Sequence, residues 1–380
     1  MRKVLLILGI LILLVFLTST SFSQARLKYK FTATTGTYTE ITDGSTFSWF
    51  GTADSGYSSA VSIGFTFNYN GFNYDSFQVT TNGFLRLGTG LANSPQVNDL
   101  GGITRRILAP LWDDLAAPAF GNITYKLEGD PGSRVLTVQW KDMRWVKTAT
   151  TSAINFQVKL YEGTNTIEFV YGPGTVGGLS TDRTASIGLN DETAISVADR
   201  ATGTFLSINI GGTLAARVYH QTMSLEFDKI SIFPPNGTIF RFEPVTTISP
   251  LSGTYTVGGT APDFATLSDA AMALNIHGVN GPVTLLVRPG TYDDIFHLIN
   301  VAGTSPTNTI TVTKESGEVT ISPRNGSYTT TAPLVLSGDA IIRLDGTQYV
   351  TIDGLKLTNN PDNTNDQLRF DVGVFLAHSA

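Results

Sequence analysis

The feature that most constrains this chain lies near its C-terminus, where short apolar runs end in Asp-Gly. Tyr349-Val350-Thr351-Ile352 leads into Asp353-Gly354 and is followed by Leu355-Lys356-Leu357; Ile342-Arg343-Leu344-Asp345-Gly346 repeats the first half just upstream. Asp-Gly makes a tight turn because glycine takes positive φ freely and the aspartate oxygens accept from turn amides. Similar short runs precede the repeats, at Val283-Thr284-Leu285-Leu286-Val287, Ile310-Thr311-Val312, Val319-Thr320-Ile321 and Leu334-Val335-Leu336, and Val372, Val374 and Leu376 follow them. Such runs are too short for a sandwich and fit the sides of a coil whose circuits stack on one another. A coil of about three circuits or fewer is marginal, because each buries its apolar face only against its neighbours. The pattern predicts a truncated coil, the front end of something longer.

One good helix precedes these runs. Thr266 with Asp269 three residues on forms a capping box, Leu267, Ala270, Ala271 and Leu274 fall on one face, and Gly278 ends it. Placed ahead of the first circuit, the helix would cover the open end of the stack. Pro244 to Pro250 reads as a domain boundary. Before it, strands and turns dominate. Val61, Ile63, Phe65, Phe67 and Tyr69 alternate with Ser62, Gly64, Thr66 and Asn68, which puts the large groups on one face of a half-buried strand. Asn82-Gly83 predicts a two-residue hairpin turn with positive φ at both positions, and Glu162-Gly163-Thr164-Asn165 joins a second hairpin. The fold class expected is all-β, an antiparallel sandwich over 24–247 and a capped parallel coil over 248–380.

The first 23 residues read as a secretory signal: Arg2 and Lys3, then apolar Val4 to Leu17, then Ser21-Phe22-Ser23 for the peptidase, leaving Gln24 first. That apolar stretch is shorter than the ~20 residues a spanning helix needs. A membrane anchor is the other reading of the segment. Without cysteine there is no lipoprotein route and no disulfide. Loss of Arg2 and Lys3 takes the formal net charge from −6 to −8, and the basic residues are scattered, so no nucleic-acid partner is expected. Abundant uncharged polar residues suit sheets that face an extracellular solvent.

Two resemblances follow from specific residues. Residues Gly253-Thr254-Tyr255-Thr256-Val257-Gly258-Gly259, the helix around Leu267, Val287-Arg288-Pro289-Gly290-Thr291-Tyr292 and Tyr349 to Gly354 resemble the pectin-lyase-like right-handed parallel β-helix proteins. That family holds polysaccharide lyases and hydrolases together with non-catalytic adhesins and surface proteins. Asn82-Gly83-Phe84-Leu85, Ile107 to Leu115, Ile123-Thr124-Tyr125, Val138-Gln139-Trp140 and Phe156 to Glu162 resemble the nidogen-like extracellular β-sandwich of bacterial secreted proteins. The second resemblance implies an adhesion or matrix role and transfers no catalytic residues.

Candidate chemistry is sparse. Asp113 and Asp114 after Trp112 are the sharpest pair: they could hold Ca2+, which takes six to eight oxygen ligands, or bond turn amides at a strand end. Asp345 and Asp353 read as turn residues, and Asp293-Asp294 on the first circuit lacks the stacked partners of a catalytic groove. Hydrolysis would need carboxylates facing each other across ~5–9.5 Å. His220, His277, His297 and His378 show no ligand spacing. Trp140 and Trp145, and Tyr69, Phe72 and Tyr74 around Asn70-Gly71, are sugar platforms if exposed and core if not. Asn122, Asn236 and Asn325 head glycosylation-type triplets.

These observations predict a non-catalytic secreted or cell-surface protein that binds carbohydrate or matrix or acts in adhesion, with no cofactor apart from Ca2+ at Asp113 and Asp114. The alternative is a polysaccharide lyase or glycoside hydrolase whose catalytic circuits lie beyond residue 380.

Overall fold

The computed structural model describes residues 27–100, 104–177, 183–191, 205–212, 217–222, 229–230, 232–323, 340–361 and 372–377. The signal segment 1–23, Leu334 to Leu336, Asn325 and His378 lie outside them, as does the His220 side chain.

Two antiparallel sheets face each other in the first part of the chain. One runs in the order Tyr29–Thr35, Thr238–Pro244, Ile167–Tyr171, Ile154–Tyr161, Val135–Met143, Ile123–Glu128 and Ser45–Thr46. The other runs Arg217–Thr222, Phe205–Gly212, Ala185–Asn190, Ile107–Trp112, Leu85–Leu87, Phe72–Val79 and Val61–Tyr69, with Lys229–Ile230 pairing to Ala185–Asn190. The expected alternation holds: Ile63, Phe65, Phe67 and Tyr69 are buried in the core between the sheets while Ser62, Gly64 and Thr66 are exposed. Trp140 lies at the centre of that core, fully buried, stacked on Phe156 at 5.4 Å and donating through Nε1 to Thr80 O at 2.9 Å. Pro110 sits in a central strand and supplies no N–H to a ladder. Its neighbour Ala185–Asn190 shifts register between Ser186 and Gly188, which accommodates the proline.

The turns correct the sequence expectation in one place. Gly83 has φ of +81° but Asn82 is not in the left-handed region, and Thr80 N donates to Phe84 O, so the loop holds three residues. Asn82 is instead drawn inward, fully buried, with Nδ2 donating to Ser94 O at 3.1 Å and Pro95 O at 3.2 Å. The two-residue turn with positive φ at both positions is Asn70-Gly71, joining strands that pair Tyr69 with Phe72. Glu162 to Asn165 connects the second hairpin as expected.

The second part is parallel throughout. One sheet is Leu251–Val257, Val279–Val287, Ile310–Lys314 and Val350–Asp353; another is Gly290–Tyr292, Val319–Ile321 and Leu355–Leu357; the third is Phe296–Ile299, Ala340–Asp345 and Val372–Ala377. The chain visits these sheets in rotation, so it coils with three faces per circuit. Val283 pairs with Ile310 and Ile310 with Val350, giving circuits of 27 (310 − 283) and 40 (350 − 310) residues. The circuits are therefore unequal, and the strands do not recur at a regular interval. The near copies Ile342 to Gly346 and Tyr349 to Gly354 occupy different faces of the coil.

Among the described residues one α-helix, Leu267–His277, is present, and it links the first two strands of the coil. Thr266 Oγ1 accepts from Asp269 N at 3.0 Å, and Gly278 closes the helix at φ +69° with its N–H on Leu274 O. Leu267, Ala270, Ala271 and Leu274 join the coil core, as their spacing predicts. Met272 and Ile276 on another face pack into the sandwich core, together with Ile299. The helix therefore covers the coil core with one face and packs into the sandwich core with another. One coil strand, Leu251–Val257, precedes it. Asn275 closes the exposed edge of the third sheet: its Nδ2 donates to His297 O and its Oδ1 accepts from Ile299 N, both at 3.0 Å. A side-chain amide thus supplies what the next strand would, and the edge is covered.

Candidate functional site

The wedge of the helix leaves a cleft of about 410 Å3 between sandwich strand Tyr29–Thr35 and helix Leu267–His277. Phe31, Val245, Phe264, Met272 and Ile276 form its apolar surfaces, and Lys30, Asp263, Asp269 and His277 stand around them. The walls are tied together through the linker: Val245 N donates to Lys28 O at 2.7 Å, and Leu251 N to Gly278 O at 2.9 Å. Asp263 is held in place by Thr256, whose N–H and Oγ1 donate to its Oδ2 at 2.7 and 2.8 Å. Those bonds hold its carboxyl below the usual carboxylate range. His277 accepts from Ser249 N through Nδ1, and burial lowers its affinity for a proton, so the imidazole faces the cleft uncharged. A small concave site with an apolar floor and a few polar groups, set at a domain interface, is the ordinary form of a small-ligand seat.

Apart from His277, the residues singled out from sequence are placed elsewhere. Asp113 is buried and its oxygens are saturated: Oδ2 accepts from Trp145 Nε1 at 2.7 Å and Thr184 N at 2.8 Å, and Oδ1 from Asp114 N at 2.8 Å. Asp114 turns away and, with Asp54, holds the Lys147 ammonium at 2.6 and 2.7 Å. The two carboxylates do not converge. Among the described residues no group of three or more His, Asp or Glu is arranged to hold a metal ion.

In the coil, Asp294 Oδ2 accepts from Leu267 N and Ser268 N, so this carboxylate caps the helix N-terminus, where the dipole favours negative charge. Asp345 is buried and pairs with Arg343 Nε at 2.7 Å, whereas Asp353 is exposed beside Thr313. His297 donates through Nε2 to Ala340 O at 2.8 Å, and burial drags its pKa from 6.5 to about 4. Trp140, Trp145, Tyr69 and Tyr74 are core residues; Phe72 alone of that set is exposed, at 52 %, beside the Asn70-Gly71 turn. Asn122 is in use, its Nδ2 donating to Lys141 O.

Sequence reasoning missed the cleft because it stopped at the first helical stripe. Met272 and Ile276 are an i, i+4 apolar pair outside that stripe, and this is the signal that the helix has a second buried face.

Among the described residues no helix is long and apolar enough to cross a membrane. No curated protein and no solved structure matches the chain. The family described as NIDO related matches residues 28–244, from one end of the antiparallel sandwich to the other. That match covers more than half of the 380 residues, and NIDO-related domains are typical of extracellular proteins. On this ground the chain belongs to the NIDO-related family.

Proposed function

We propose that this is a non-catalytic secreted or surface protein that binds carbohydrate or matrix components, or serves adhesion, with the cleft beside Met272 as its ligand seat. The observation that carries the reading is the NIDO-related match across the whole sandwich, an extracellular-type β domain. The cleft supports it with a volume suited to a sugar unit or a short side chain and with hydrogen-bonding groups around an apolar floor. A screen of glycans and matrix proteins tests it, using the wild type, Met272→Trp to fill the cleft, and an unrelated sandwich as control. Binding above the control that Met272→Trp abolishes is expected. No binding above the control rejects the reading.

Export through the 1–23 signal belongs to the same proposal, and the mass of the mature N-terminus, expected at Gln24, checks it. A right-handed parallel β-helix of the pectin-lyase type is the fold proposed for the coil. Its support is the rotation through three parallel sheets and the near-universal right hand of parallel crossovers. That same architecture motivates the second reading, a polysaccharide lyase or glycoside hydrolase. Reducing-end or unsaturated-product release from acidic and neutral polysaccharides would support it over the first. Ca2+ at Asp113 and Asp114 would have to displace Lys147 from Asp114, and a melting temperature raised by Ca2+ and lowered by chelator would establish that it does.

A further inference from the structure

A second feature of the sandwich is independent of the cleft. Strand Leu85–Leu87 turns Leu85 and Leu87 into the core and Arg86 to the opposite face. The segment that follows folds back over this face: Leu91 and Leu100 join Phe84, Ile107 and Trp112 in a separate apolar cluster, and Leu91 N donates to Gln78 Oε1 at 2.8 Å. Arg86 lies under that segment, 9 % exposed, donating through Nε to Arg105 O at 3.2 Å and through Nη1 to Thr89 O. Arg106 reaches the same Thr89 oxygen through Nη2 at 3.5 Å and lies over the Tyr74 ring.

We infer that the Arg86–Arg106 pair is an oxyanion site, taking the sulfate, phosphate or carboxylate group of a ligand that enters beside Gly88-Thr89-Gly90. Two guanidiniums converge on one neutral carbonyl oxygen, and among the described residues neither has a carboxylate partner, whereas neighbouring Arg105 pairs with Asp191 at 3.8 Å. Burial penalises the charged form most, and the like charge so placed adds to the penalty. Both effects act on Arg86, whose pKa falls from 12.5 to about 10. An oxyanion between the two planar forks would offset this with charge-assisted bonds that a carbonyl cannot supply.

Backbone geometry supports the assignment. Arg106 holds φ of +65°, which is strained for a residue with a side chain and persists only where the surroundings enforce it. The loop is Gly-Thr-Gly, and the glycines leave the guanidiniums clear. A Cβ at Gly88 would lie 3.2 Å from Arg106 Nη1, and one at Gly90 would lie 3.1 Å from Arg86 Nη1.

The test compares wild type with Arg106→Gln, melting each in sodium sulfate and in sodium chloride at equal ionic strength. The expected result is a melting temperature raised by sulfate beyond chloride in the wild type, and no such excess in Arg106→Gln. In parallel, dextran sulfate should bind the wild type about tenfold more tightly than Arg106→Gln, the effect of one lost charge-assisted pair, while neutral dextran binds neither. Sulfate binding without dextran sulfate binding would assign the site to small free anions; binding of both assigns it to acidic polysaccharide. Should Arg106→Gln fail to fold, Arg106→Lys is read in its place, expected to bind about threefold more weakly because it keeps the charge and loses the fork. An equal sulfate response in wild type and variant, or no excess over chloride, overturns the proposal.

Discussion

The sandwich and the coil close their cores in different ways. Two antiparallel sheets cover each other, so inward side chains of the central strands have facing partners, and Trp140, Phe156, Val158 and Phe169 are all fully buried. Each circuit of the coil is covered by the circuits above and below and, at the first end, by the helix. Burial along the stack shows the consequence. Leu285 is 0 % and Val312 1 % exposed, but Ile352, next in the same inward row, is half-buried. On the third face, Ile342 and Leu344 are buried while their partners Val374 and Leu376 are 45 % and 70 % exposed. Side-by-side closure protects the central strands of both sheets, whereas stacking protects a strand only as well as its neighbours do.

Four measurements would break or sharpen this contrast. Trp49, Trp112, Trp140 and Trp145 all lie in the sandwich, so tryptophan emission reports on that part alone, while circular dichroism and protease sensitivity report on both. The largest effect is expected for Trp140→Ala, which removes a fully buried ring and its hydrogen bond to Thr80 and should destabilise the sandwich by about 3–5 kcal/mol in denaturant melts followed by emission.

Acid should distinguish the parts next. His297 stays neutral in the fold until about pH 4, so an unfolded chain with its ordinary value of 6.5 takes up a proton the coil refuses. Stability present above pH 6.5 is therefore lost as pH falls from 6.5 to 4, by up to about 3 kcal/mol. In the sandwich, the Arg134 fork and backbone amides hold Glu162 down to about 2, so its contribution is lost only as pH falls from 4.5 to 2. Protease should cut the coil at pH 5 while tryptophan emission is unchanged, and simultaneous loss of both signals would break the contrast.

Within the coil, Leu285→Ala should cost about 2–4 kcal/mol and Ile352→Ala about 1 kcal/mol, because the second side chain has less surface buried to lose. Equal effects in urea melts would show that Ile352 is covered as fully as Leu285. Asp294→Ala should show a comparably small effect, about 1 kcal/mol, from the loss of acceptors for the first two helix amides, and Asp294→Asn should restore part of it.

How much of this was legible in sequence depended on how local the determining forces are. The alternation from Val61 to Tyr69 and the stripe Leu267, Ala270, Ala271, Leu274 could be read because a strand or helix projects its own period onto one face. Ala185–Asn190, a fully buried central strand, went unread: its glycine, serine and asparagine carry little strand propensity, and burial on both faces removes the alternation. Asn82-Gly83 predicted the wrong turn because the Asn82 amide is claimed by Ser94 and Pro95 carbonyls beyond the loop. The partners of Asp113 went unread for the same reason, since Trp145 and Thr184 are distant in the chain.

The amino-acid order by itself determined an all-β chain with a helix after Pro250, an antiparallel first part, and short turn-punctuated strands in the last part, because these follow from side-chain period and turn chemistry over a few residues. Tertiary structure alone decided that the helix is shared between two cores, that a cleft opens beside Met272, and that Arg86 and Arg106 meet on one carbonyl. Each of these depends on segments brought together across long loops, where packing and charge act through space and leave no mark on neighbouring residues.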